Sequence, residues 1–207
     1  RKLWQGDYAH EGDFYQFPST SSAPKPVQED GPPLWIAARD PASHDFAVSN
    51  RCNVQVTPLW QGVEEVRSLM SRFNDACEKQ NPSTRPKIML LHHCYVSEND
   101  SDLDRAVGDL HKFYCYFGAW FKNQRPVNQG LIQTLSDEEV HGNKMVTQDG
   151  IRNDLTVGST TQVIDRIKLY QDLGYDEFSY WIDSGMSHEH KRASLCRFID
   201  HVMPHFV

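Results

Sequence analysis

No stretch of this 207-residue chain approaches the ~20 consecutive apolar residues that a bilayer-spanning helix needs, and no charged-then-apolar leader opens it. A soluble, cytoplasmic protein is expected. Positive charge is also short: 21 Lys and Arg stand against 28 Asp and Glu, a formal net charge of −7, with the cations scattered among acids. Without a basic field, neither nucleic acid nor an anionic membrane surface is expected as the main partner. The five cysteines (Cys52, Cys77, Cys94, Cys115, Cys196) are odd in number and widely spaced, with no CxxC pair. They fit reduced thiols better than a disulfide framework. No GxSxG elbow, GxGxxG fingerprint, P-loop or HExxH frame is present, so no motif points to a nucleophile enzyme. Ten histidines keep a metal in view. His188 and His190, two apart on a helix, point to different faces, however, and no metal site is expected.

A 39% hydrophobic content at this length is enough for one sizeable packed domain. The most telling stretch is residues 32–48, PPLWIAARDPASHDFAV. A short apolar run behind Pro-Pro reads as a strand covered on both faces. Asp40 is a good N-cap and Pro41 suits the first helical position, so the amides of Ala42, Ser43 and His44 are expected to point out at the strand's C-terminal end. An ordinary capped turn explains this pattern. So does an anion site, in which the helix dipole, the Ser43 hydroxyl and the Arg39 guanidinium hold a phosphate.

Residues 1–31 read as an aromatic-rich hairpin turning at 10–13, followed by a Ser/Pro-rich connector. Residues 53–59 follow the first helix as a second strand. Apolar positions at three- and four-residue spacing predict a helix over 63–78. A third β-rich run spans 87–97, and a long helical pattern covers 100–122, with Leu103, Val107, Leu110, Phe113, Tyr114, Phe117 and Phe121 on one side. Residues 124–154 carry little periodicity and read as a long excursion with a short helix near 136–140; loops of this length are usually functional or mobile. A cap at 157–160 starts a helix over 161–173. A fourth strand at 178–182 and a final helix over 188–202 complete the chain. Four strands, each followed by a helix, predict a parallel sheet with helices outside it, the size of half a (β/α)₈ barrel. A small open α/β sheet is the alternative.

Four segments, HEGDFYQF at 10–17, PPLWIAARDPASHDFAV at 32–48, VGSTTQVIDRIKLYQDLGYDEFSYWIDSGMS at 157–187 and KRASLCRFIDHVMPHF at 191–206, occur in the order found in the luciferase-like flavin-dependent monooxygenases. On these segments the chain resembles the C-terminal half of that family's barrel, and its opening on Arg1 without an initiator Met fits a piece of something longer. The resemblance implies reduced FMN, delivered by a separate flavin reductase and reacting with O₂ to oxygenate a small organic substrate. It also implies that the loop after the family's fifth strand, residues 38–43 here, helps hold the flavin phosphate. A deazaflavin in place of FMN also carries a phosphate. The family's residues in its first four strands have no counterpart in this chain, so the catalytic residues are unassigned.

Barrel chemistry takes place at the C-terminal ends of the strands. The expected cofactor contacts are therefore Ala38, Arg39, Ala42 and Ser43 at the phosphate, with Leu59 and Trp60 walling the flavin ring. Trp181, Asp183 and Met186 are expected to line a substrate pocket. His92 and His93 are adjacent in a strand and face opposite ways, so at most one enters the barrel; a structural role is expected for each. The whole is read as a flavin-dependent monooxygenase forming homo-oligomers. The rival readings are a non-catalytic half-barrel, prone to associate through its exposed inner strand faces, and a metal-dependent hydrolase on the same fold.

Overall fold

Alternating and helical apolar periods become strands and helices in the order expected. The computed structural model describes residues 1–121, 124–143 and 146–206 and divides into two units, Arg1–Trp35 and Ile36–Val207. In the first, a single helical turn α1 (Lys2–Gln5) precedes the antiparallel hairpin β1 (Tyr8–Glu11) and β2 (Gln16–Thr20). The hairpin holds because Tyr8, His10 and Phe17 share a face, with ring centroids 5.6 to 6.2 Å apart. The connector is tied back by Lys25 Nζ donating to Leu3 O at 2.7 Å.

The second unit is built on β3 (Trp35–Ala37), α2 (Pro41–Ser49), β4 (Asn53–Val56), α3 (Val63–Gln80), β5 (Ile88–Val96) and α4 (Asp100–Phe121). Lys122, the last residue of the helix expected there, lies outside the described residues. The expected excursion resolves into a small hairpin, β6 (Val127–Asn128) with β7 (Leu131–Ile132), and two capped helices, α5 (Asp137–Gly142) and α6 (Gln148–Asp154). Lys144 and Met145 fall outside the described part of it. Then come β8 (Thr156–Gly158), α7 (Thr160–Asp172), β9 (Glu177–Trp181) and α8 (His188–Arg197). The final helix is shorter than expected: Phe198–Val202 winds as a π-turn and Met203–His205 as a 3₁₀ turn.

The sheet has five strands where the periodicity indicated four. β5 is long enough for several neighbours: β4 pairs with its first residues, β9 with residues 89–93 and β8 with residues 94–96, all parallel. β3 joins β4, and just beyond it the Ala38 amide donates to Gln55 O at 3.0 Å. The extra strand β8 lies where only a helix cap was expected. Gly158 ends it at φ 146°, beyond the reach of most side chains, and Ser159 and Gln162 close a capping box onto α7.

Parallel register makes paired residues point the same way. Val54, Val56, Ile88, Leu90, His92, Phe178 and Tyr180 lie on one face, which α3, α7 and α8 cover with Val66, Leu69, Phe73, Val163, Ile167 and Tyr170. On the other face, Gln55, Met89, Leu91 and Ser179 stay half-buried. Further along that face, at the C-terminal ends of the strands, α4 closes a second core of Tyr95, Leu110, Tyr114, Val157 and Met186. Among the described residues, no helix is long and apolar enough to cross a membrane.

Candidate functional site

The sheet's C-terminal end is framed by the turn after β3, the loop after β4, the end of β5, the loop after β9, and α4 lying across them. At the first turn Asp40 caps α2 as expected, and one carboxylate engages both donors of Ser43. The Ser43 amide donates to Oδ1 at 2.9 Å and its hydroxyl to Oδ2 at 2.6 Å. These two bonds, the hydroxyl's first, hold the Asp40 carboxyl below its ordinary pKa. Arg39 is not free either: its guanidinium reaches Gln61 Oε1 at 2.8 Å and Glu65 at 3.3 Å, and Glu65 also pairs with Arg72. The groups of Ala38, Arg39 and Ser43 expected to meet a flavin phosphate are thus engaged within the chain. The Ala38 amide belongs to the sheet, Arg39 is neutralised, and a phosphate at Ser43 would meet an ionised carboxylate that already holds the donors it needs.

The loop after β4 brings Leu59, at φ 59°, into the core, and the Trp60 ring packs edge-on against Tyr114, Phe117 and Phe121 of α4 at 5.5 to 6.0 Å. Both lie at the strand ends, as expected, but α4 is what they face.

The end of β5 carries two buried histidines in different settings. His92, on the helix-covered face, shares its Nδ1 with Thr156 Oγ1 at 3.0 Å and Tyr170 Oη at 3.2 Å, while Nε2 has no partner. Burial first, then the neighbouring His93 and Arg166, push its pKa to about 3. His93, on the opposite face, stacks on Trp181 with ring centroids 3.9 Å apart and 15° between planes. Its Nε2 lies 3.1 Å from Asp183 O and its Nδ1 2.5 Å from Tyr114 Oη. A carbonyl only accepts, so Nε2 carries the proton and Nδ1 accepts from the tyrosine. Burial lowers the pKa of His93 to about 4. Both rings are neutral at physiological pH. The structural role expected for each histidine agrees with this geometry.

The expected substrate residues separate. Trp181 stacks on His93, the Asp183 carboxylate extends into solvent towards Lys191 at 3.1 Å, and Met186 is buried beneath α4. The residues between Asp183 and Met186 do line a cavity. Ser184 and Gly185 form one side of an open space of about 490 Å³, bounded elsewhere by α4 and by Ile132 of the β6–β7 hairpin. Its α4 lining, Asp109, Lys112, Phe113, Tyr116, Phe117 and Trp120, was not read from the sequence as a site. The signal was present: aromatics at 113, 116, 117 and 120 form a stripe beside the core stripe, and such a face has more rings than a core contact needs. Among the described residues, no group of three or more His, Cys, Asp or Glu side chains is placed to hold a metal.

The pattern of the luciferase-like monooxygenase family matches residues 1–177. The chain belongs to that family. It is 55% identical over 206 residues, all of this chain, to the oxygenase component of flavin-dependent trigonelline monooxygenase from Acinetobacter baylyi, of which it covers 57%. Among solved structures it resembles monooxygenase RslO1 from Streptomyces bottropensis, with a TM-score of 0.68 and 22% identity over 100% of this chain and 58% of that one. It also resembles the oxygenating constituent of 3,6-diketocamphane monooxygenase from Pseudomonas putida, solved with FMN, at a TM-score of 0.64 and 13% identity over 100% of this chain and 60% of that one. At these identities the two structural likenesses speak for fold alone. Family and strand order agree in making the sheet part of a (β/α)₈ barrel, and the chain spans a little over half the length of these relatives.

Proposed function

We propose that this chain is part of the oxygenase component of a two-component flavin monooxygenase. Reduced FMN, supplied by a separate reductase, provides two electrons; one atom of O₂ enters a small organic substrate and the other leaves as water. The observation that carries this reading is the 55% identity, across the whole chain, to an oxygenase component of that kind. The geometry supports it: beside the strand ends, α4 and the loop after β9 bound a space lined by aromatic rings, the sort of site in which a bound cofactor supplies the reactivity and the protein supplies position. Within the described residues the protein's part is to hold the wall. His93 pins Trp181, Tyr114 and the loop after β9 together, and stays neutral while doing so.

The test uses the full-length protein with chemically or enzymatically reduced FMN, ¹⁸O₂ and trigonelline as first substrate. Product carrying one ¹⁸O atom is expected. Flavin oxidation that yields no labelled product from trigonelline or related pyridine carboxylates overturns the proposal. Reduced deazaflavin in parallel decides between the two flavins.

A further inference from the structure

We infer that the cavity between α4 and the loop after β9 is the substrate subsite, built for a small planar aromatic ring bearing a carboxylate and a positive ring nitrogen. The inference rests on the proposed function and names the substrate class at that site. Three features carry it. Four aromatic side chains face the space from one helix: Phe113 and Phe117 are stacked, with centroids 5.6 Å apart and 16° between planes, and Trp120 lies 5.7 Å from Phe117. Flat walls of this kind take a flat ring, and their negative faces favour a cationic one. Next, Asp109 and Lys112 line the same space three residues apart on α4, spacing at which opposite charges ordinarily meet. Here no ion pair joins them, and among the described residues neither makes a salt bridge. One cation and one anion left unpaired beside aromatic walls suit a ring that carries both charges itself. The third feature is Ser184, whose side chain is buried at the cavity's edge with only a 3.5 Å contact to Ile182 O, leaving its hydroxyl to serve a ligand oxygen. Lys112 and Ser184 then receive the carboxylate, Asp109 balances the ring nitrogen, and the rings of Phe113, Phe117 and Trp120 hold the plane.

The experiment measures equilibrium binding to the full-length protein, without flavin or reductase, by titration calorimetry. Three probes separate the charges: trigonelline carries both, benzoate only the carboxylate, N-methylpyridinium only the cation. Lys112→Met is expected to weaken trigonelline and benzoate about tenfold, the worth of one charge-assisted hydrogen bond, and to leave N-methylpyridinium unchanged. Asp109→Asn is expected to weaken only the two cationic probes. Lys112→Arg restores benzoate binding. Equal binding of every probe to wild type and Lys112→Met overturns the subsite, as does absence of trigonelline binding. Turnover keeps the two readings apart. Labelled product with KM unchanged in Lys112→Met sinks the subsite and leaves the monooxygenase. Charge-dependent binding with no ¹⁸O incorporation sinks the monooxygenase and leaves the subsite.

Discussion

Two neutral histidines buried side by side make this protein's stability fall steeply in mild acid. An ordinary histidine protonates near 6.5, whereas His93 in the fold does so at about 4 and His92 at about 3. The unfolded chain therefore takes up at least these two protons that the folded chain refuses, and His44, fully buried with both ring nitrogens unpartnered and its pKa lowered by burial, adds to them. Stability is fully present above pH 6.5, and falls as pH drops below it until the folded values are reached. Each histidine contributes at most about 1.4 kcal/mol per pH unit, so the pair gives roughly 2.7 kcal/mol per unit between pH 6 and 5. This window lies above the range in which most carboxylates titrate. For His93 the penalty is that of burying charge alone. Once protonated at Nδ1 it still has Tyr114 Oη to donate to, and the tyrosine can turn its own proton to Leu59 O at 3.2 Å. His92 has no such reserve, because its Nε2 is unpartnered. Urea unfolding of the full-length protein at several pH values between 7 and 5 gives the slope, and His93→Phe, which keeps a ring against Trp181, should lower it by about 1.4 kcal/mol per pH unit. A wild-type slope near zero, or a His93→Phe slope equal to wild type, refutes the assignment of neutral, desolvated rings.

Other perturbations follow from single contacts. Asp40→Ala removes the cap of α2 and should lower unfolding stability by about 1 kcal/mol, while Asp40→Asn, which retains an acceptor, should change it far less; equal losses would mean that the carboxylate's charge, not its hydrogen bond, holds the turn. Tyr114→Phe leaves His93 Nδ1 without its donor inside the core and should lower stability by about 1 to 3 kcal/mol, yet leave the pH slope intact because His93 stays neutral; an altered slope would contradict the hydrogen-bond assignment. Among the thiols, Cys94 is buried and raised well above the usual thiol pKa, whereas Cys196 is exposed. Iodoacetamide followed by peptide mass spectrometry should therefore label Cys196 in the native protein and Cys94 only after unfolding.

The helices and most strands were legible because their apolar spacing was dictated by a face that had to be buried. α3 and α4 were found within two residues at each end on that ground alone. β8 was not, since Thr156, Val157 and Gly158 are too few to show a period. The clue lay instead in β5, whose nine residues exceed what any one of its short neighbours can pair. At the candidate site the capping rule already contained a contact that the anion reading passed over. An N-cap side chain takes the amide two or three residues on, and from Asp40 the third is Ser43. A carboxylate there engages both the amide and the hydroxyl of Ser43, the donors on which the anion reading leaned.

The same economy governs α4. Its buried stripe, from Leu103 through Leu110 to Tyr114, fastens the helix across the strand ends by packing and by the Tyr114 bond to His93. That fixes the rotation of the helix about its axis, and with it the direction of everything one position round. Asp109, Lys112, Phe113 and Trp120 then face the loop after β9 because the core stripe leaves them no other side. The charges of the proposed subsite are thus aimed by residues that never touch a ligand, so changes to the core of α4 should alter binding before they unfold the chain.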